Sequence, residues 1–202
     1  MGFAINRVTK LEAEKPCYIC VIGGPGSGKT TQSRFIYELF DFAHISTGQI
    51  LRQAVARKKI QNWESIQKRM SEGKNIDSDI VLKLLLDAID KEKEKHIVID
   101  GFPINEENFE AWKNKVGEKL HAIFYFEITE NEMRKRLLKR NQRDDDNENS
   151  IKERIRNFNF ETKSLIEKLR NKGLITTFDG MKSKKELNAE VKAVFMERRL
   201  YK

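Results

Sequence analysis

An α/β fold, with a parallel sheet covered by helices on both faces, is what this 202-residue sequence predicts, and three observations carry it. Five short apolar runs of strand type recur along the chain. Charged stretches with helical spacing lie between them. A glycine-rich turn separates the first run from the first helix. Strands alternating with helices of this length build a parallel sheet whose crossovers lie on its faces.

The first run, Cys17–Ile22, holds the only two cysteines, in a Cys-x-x-Cys arrangement. A redox pair or half a zinc site is one reading of that spacing. On an extended strand, however, the two lie about 10 Å apart on opposite faces. A disulfide needs Cα atoms within about 7 Å, and no further cysteines exist to complete a metal site. We read both as core residues. The remaining strands are Phe42–Ser46, His96–Ile99, Ala122–Ile128 and Leu174–Phe178. Helices are read over Thr31–Phe40, over the repeat Ile80, Val81, Leu84, Leu85, Ala88 and Ile89, and over Ile151, Ile155, Phe158, Thr162, Leu165 and Leu169. Two segments fit the alternation poorly: Thr47–Asp79, all helical in pattern, and the polar Lys139–Asn149. Both are expected to project from the sheet as inserts.

Composition narrows the function classes. The hydrophobic fraction of 39% is enough for a core, which excludes an intrinsically disordered chain. No apolar run approaches the ~20 residues of a membrane span, and the charged start does not read as a secretory signal. Met1-Gly2 begins a myristoylation pattern, but Asn6 stands where Ser or Thr is needed. The expected compartment is the cytoplasm, with no membrane partner. The net charge of +8 favours anionic partners. No reading module or aromatic stacking cluster for nucleic acid accompanies it, so a nucleic-acid partner is not expected.

The turn after the first strand, Gly23-Gly24-Pro25-Gly26-Ser27-Gly28-Lys29-Thr30, fits G-x-x-x-x-G-K-[ST] in the strand–loop–helix context that the motif requires. Its glycines let successive backbone N–H groups turn toward phosphate oxygens. The helix behind it adds its positive end. Lys29 would reach the terminal phosphates, and Thr30 or Thr31 would offer a hydroxyl to Mg²⁺. ATP binding therefore maps to Gly24, Pro25, Gly26, Ser27, Gly28, Lys29, Thr30 and Thr31. No Asn-Lys-x-Asp follows for guanine reading, which argues against a GTPase.

Three further segments follow in order: Ile45-Ser46-Thr47-Gly48-Gln49-Ile50-Leu51-Arg52, then Ile97-Val98-Ile99-Asp100-Gly101-Phe102-Pro103, then Arg136 through Asn147 with Arg154 beyond. With the loop they resemble the nucleoside monophosphate kinases of the adenylate and UMP/CMP kinase family, over almost the whole chain from Cys17 to Phe195. The resemblance implies transfer of the γ-phosphoryl of ATP to a nucleoside monophosphate, with Mg²⁺, on a five-stranded parallel sheet. It also implies a single P-loop kinase domain with its core in 16–45, 77–138 and 147–202, a monophosphate-binding insert over 46–76 and a very short lid over 139–146. A monomer is expected.

Carried over residue by residue, the resemblance places Lys29, Arg140, Arg143 and Arg154 around the transferring group, and Arg136 and Gly180 beside the donor base. Asp100 would hold Mg²⁺ through water, together with Thr30, and Asp145 and Asp146 would orient lid arginines. The acceptor is assigned Thr47, Arg52, Lys74, Asn75, Ile76, Gly101, Phe102, Asn105, Asn108, Arg143 and Arg154. Thr47 resembles adenylate kinases, whereas Asn105, Asn108 and Trp112 resemble UMP/CMP kinases, so AMP and the pyrimidine monophosphates stay open. For Asn105 a helix cap is the plainer explanation.

Three departures lie on the acceptor side. Ile104 stands where the family usually has an arginine on the acceptor phosphate, Gln49 replaces an acidic residue, and Asp77 replaces a proline. Arg143 also follows Arg140 by three positions, a shorter step than short-lid relatives show, which leaves no room for a zinc-binding insert. A second reading follows from Ile104: a kinase-like nucleotide-binding protein with weak or lost catalysis.

Overall fold

The computed structural model describes residues 16–93, 96–117, 120–140 and 147–200. Five parallel strands form one sheet in the order β2-β3-β1-β4-β5. They are β1 (Cys17–Gly23), β2 (Ala43–Ser46), β3 (His96–Asp100), β4 (Leu120–Glu127) and β5 (Ile175–Asp179). All five expected strands are present, with ends shifted by one or two residues. The central strands β1 and β3 are buried almost throughout. That is why they read as unbroken apolar runs rather than as alternations.

Alternate residues of each strand feed two cores. On one face Cys17, Ile19 and Val21 meet Ile36 and Phe40 of α1 (Lys29–Phe40) and Leu187, Val191 and Phe195 of α9 (Lys184–Glu197). Aromatic rings fill this layer: Phe40 stacks on Phe195 with centroids 4.1 Å apart, and Phe126 on Phe178 at 5.0 Å. On the other face Tyr18, Cys20 and Ile22 pack with Leu82 and Leu85 of α4 (Ser78–Ile89), Trp112 of α5 (Glu106–Val116), and Leu165 and Leu169 of α8 (Lys163–Asn171). Between α4 and β2, residues 46–76 carry α2 (Thr47–Ala56) and α3 (Trp63–Ser71). After β4 come α6 (Glu130–Arg140) and α7 (Glu148–Asn157). A π-helical turn, Phe158–Thr162, joins α7 directly to α8.

Cys17 and Cys20 are both fully buried, both free, and in opposite cores. Burial pushes the Cys17 thiol up to about 12, and the Cys20 thiol upward as well. A thiol with almost no thiolate at neutral pH does not react. Both cysteines are expected to resist Ellman's reagent in the native protein and to label fully in guanidinium. Fast labelling of either under native conditions would contradict this packing.

The expected lid, 139–146, falls almost wholly outside the described residues. Among the described residues, no helix is long and apolar enough to cross a membrane.

Candidate active site

In an open parallel sheet, ligands gather beyond the carboxyl ends of the strands, where the strand order reverses. Here that point lies beyond β1, between β3 and β4. A cavity of about 740 Å³ opens there.

The loop 23–30 forms one wall. Its turn is fixed by backbone bonds alone: Ser27 N–H donates to the Gly24 carbonyl at 3.1 Å, and Gln32 N–H to the Gly28 carbonyl at 3.1 Å. Gly28 sits at φ 88°, the left-handed region that glycine enters freely, and no side chain caps the helix behind it. The first N–H groups of α1 therefore stay open to an anion. Pro25, Gly26, Gly28, Lys29, Thr30 and Thr31 line the cavity, whereas Gly24 and Ser27 lie behind that surface. Lys29 Nζ donates to the Gly24 carbonyl at 3.2 Å.

Asp100 ends β3 beside this loop, 2% exposed. Its Oδ2 accepts from Thr30 Oγ1 at 2.7 Å and lies 3.7 Å from His44 Nε2. Burial alone would push its carboxyl up. The His44 ring, the Lys29 ammonium and the Thr30 hydroxyl more than offset that and hold it below the usual carboxylate range. Asp100 Oδ1 is buried with no hydrogen-bond partner among the described residues. An ionised oxygen so placed, beside a hydroxyl and a phosphate loop, suits a hard cation such as Mg²⁺. Among the described residues no cluster of three or more His, Cys, Asp or Glu could hold a metal ion. One carboxylate plus substrate phosphates is the ordinary arrangement for Mg²⁺.

Arg136 ties two other expected residues, Gly26 and Gly180, to one another. Its Nε donates to Glu132 Oε1 at 2.7 Å, one terminal nitrogen to the Gly26 carbonyl at 3.3 Å, and the other to the Gly180 carbonyl at 3.0 Å. Gly180 is thus positioned by Arg136 but does not itself line the cavity.

The opposite end holds Thr47, Arg52, Lys74, Asn75, Ile76, Gly101, Asn108 and Arg154, all on the cavity surface. Thr47 Oγ1 donates to the carbonyls of Asp100 at 3.1 Å and Gly101 at 3.0 Å. Lys74 pairs with Glu72 at 2.7 Å. Asn108, fully buried, accepts from Ile104 N–H at 3.3 Å and donates to Ser78 Oγ at 2.6 Å.

Two of the residues expected at the acceptor are not at this surface. Phe102 is buried against Trp112, with ring centroids 5.7 Å apart. Asn105 caps α5, accepting from Asn108 N–H at 2.9 Å, and its amide donates to Glu161 Oε2 at 3.0 Å. The cap accounts for Asn105, because its carboxamide is already committed on both sides. The side chain of Arg140 and all of Arg143, Asp145 and Asp146 lie outside the described residues.

The cavity also takes in residues that sequence reasoning passed over: Arg34, Asn157, Phe158 and Thr162. Helical spacing was the available signal. Arg34 lies four residues after Thr30, and Asn157 and Phe158 lie three and four after Arg154. His44 stands two before Ser46 on β2, whose register partner is Asp100.

Comparison with known proteins agrees with this geometry. A family model described as adenylate kinase matches residues 21–174. The chain belongs to the adenylate kinase family. It is 38% identical over 183 residues to UMP-CMP kinase 3 of Arabidopsis thaliana, covering 90% of each chain. It is 36% identical over 185 residues to UMP-CMP kinase 1 of Oryza sativa subsp. japonica, covering 91% of this chain and 76% of that one. With UMP-CMP kinase of Mus musculus the identity is 32% over 191 residues, covering 90% of this chain and 97% of the relative. This member of the adenylate kinase family is a phosphotransferase acting on nucleoside monophosphates, on the five-stranded parallel sheet its sequence predicts.

Proposed function

We propose that the chain transfers the γ-phosphoryl of ATP to UMP or CMP, as a monomer in the cytoplasm. The observation that carries the acceptor assignment is the carboxamide of Asn108 on the cavity wall. Ile104 N–H fixes its oxygen and Ser78 one of its N–H groups. Among the described residues one lone pair and one N–H remain, the complement a pyrimidine edge needs. The hydroxyl of Thr47, the adenylate-type feature, already donates to two backbone carbonyls, so it has no proton left for a purine. The names of the relatives agree with this reading.

Catalysis in such a site is positioning plus charge neutralisation, because the transferred group passes through a loose, anionic transition state. The open N–H groups of the loop and of α1 grip the triphosphate tail, and Lys29 follows the moving group. Thr30 and Asp100 would hold magnesium, which when bound neutralises phosphate charge. Arg136 orients the donor base through its grip on Gly26 and Gly180. Arg52 and Arg154 face the acceptor, and the family resemblance assigns Arg140 and Arg143 to the same set. The reading of lost catalysis has no support in this cavity, where loop, carboxylate and arginines converge. Two free, buried thiols suit a reducing compartment.

A coupled assay with MgATP and each of CMP, UMP, AMP and GMP tests the assignment. The two pyrimidine monophosphates are expected to exceed AMP in kcat/KM by about tenfold, the worth of one good hydrogen bond. A preference for AMP would overturn the acceptor assignment.

A further inference from the structure

The backbone of Ile104 is gripped on both sides of its Cα. Its N–H donates to Asn108 Oδ1 at 3.3 Å, and its carbonyl accepts from Thr162 Oγ1 at 2.6 Å. Thr162 is 6% exposed and lies on the cavity surface with Ile104 and Asn108. The Asn108 carboxamide is therefore oriented by the Pro103–Ile104 peptide, and the next peptide, Ile104–Asn105, is held by one hydroxyl from a distant helix.

That hydroxyl arrives by way of the π turn. In an uninterrupted α-helix, at about 100° per residue, position 162 would sit about 80° around the axis from Arg154. Wider i→i+5 turns hold more residues each and bring position 162 back toward the side of Arg154 and Phe158. All three residues line the cavity. The same helix touches the other acceptor wall one turn earlier: Asn157 Nδ2 donates to the Gly73 carbonyl at 3.1 Å. Contact there is so close that a Cβ on Gly73, at φ +75°, would lie 2.4 Å from the Ser150 carbonyl oxygen. The rod of α7, π turn and α8 thus carries both walls of the acceptor end.

We propose that Thr162 is a positioning residue for the acceptor: its hydroxyl, brought into reach by the π turn, fixes the Ile104 carbonyl and, through the backbone of that residue, the base-reading carboxamide of Asn108. This rests on the acceptor reading given above.

The test pairs Thr162→Val, which removes the hydroxyl and keeps the shape, with Thr162→Ser, which keeps the hydroxyl. KM is measured separately for ATP and for CMP, and CMP binding by calorimetry. For Thr162→Val, KM and Kd for CMP are expected to rise about tenfold, while KM for ATP and kcat stay within about twofold. Thr162→Ser is expected to match the wild type. An unchanged CMP constant in Thr162→Val overturns the proposal, as does an equal rise for ATP, because a merely structural role would move both substrates. If Thr162→Val does not fold, Thr162→Ser decides, and a tenfold weaker CMP constant in that variant overturns the proposal. A wild-type chain that neither binds nor phosphorylates CMP removes the acceptor reading and this inference with it. Normal wild-type turnover with an indifferent Thr162→Val removes only the inference.

Discussion

Lys29→Ala is expected to lower kcat by about 10²- to 10³-fold, the range seen when one preorganised transition-state donor is removed. The fold should survive, because the loop is turned by backbone bonds, Ser27 to Gly24 and Gln32 to Gly28, that do not involve this side chain. A thermal melt close to wild type is therefore the expected control. The ammonium has two tasks here. On the proposed mechanism it stabilises charge on the transferring group, and it helps to hold the buried Asp100 carboxyl ionised against the cost of burial. Lys29→Arg is not expected to rescue the loss, since a planar fork does not replace a compact point charge inside a closed loop. Single-turnover measurements at saturating MgATP separate the chemical step from binding. Near-normal rates for Lys29→Ala would mean that this loop does not hold the donor phosphates.

What could be read from the sequence, and what could not, divides by the range of the interaction. Cys17–Ile22 and His96–Ile99 are unbroken apolar runs because both faces of the sheet are covered, and the phosphate loop is a contiguous motif whose chemistry follows from its spacing. Asn105 was legible as a cap because its partner is three residues away. Thr162 was legible only as one position of an apolar helical stripe. Its partner is 58 positions distant, and the π turn that delivers it breaks the 3.6 period from which helical faces are read. His44 offers a similar lesson: β2 and β3 pair across the sheet, so its approach to Asp100 depends on strand order, which no local pattern carries. Sequence distance hides these contacts, and topology reveals them.

Ile104→Arg should strengthen the acceptor side, and the structure explains why a single change can do so. Position 104 lies on the cavity surface, beside a wall to which Leu51, Ile76 and Val81 contribute apolar side chains. The backbone there is already pinned by Asn108 and Thr162, so a longer side chain starts from a fixed base. The position follows Asp-Gly-Phe-Pro, where the family pattern has arginine. A charge-assisted hydrogen bond contributes about 1.5–3 kcal/mol, so KM for the acceptor is expected to fall by roughly 10- to 150-fold. KM for ATP should hold. The added guanidinium would share the cavity with Arg52 and Arg154, and like charges repel when no anion lies between them. The unliganded variant is therefore expected to melt lower than wild type, and saturating CMP is expected to return more stability to the variant than to wild type. An unchanged acceptor KM would show that the phosphate is held away from position 104, by the arginines of α2 and α7 alone. In that case the isoleucine is the fitting residue for a cavity whose anion sits elsewhere.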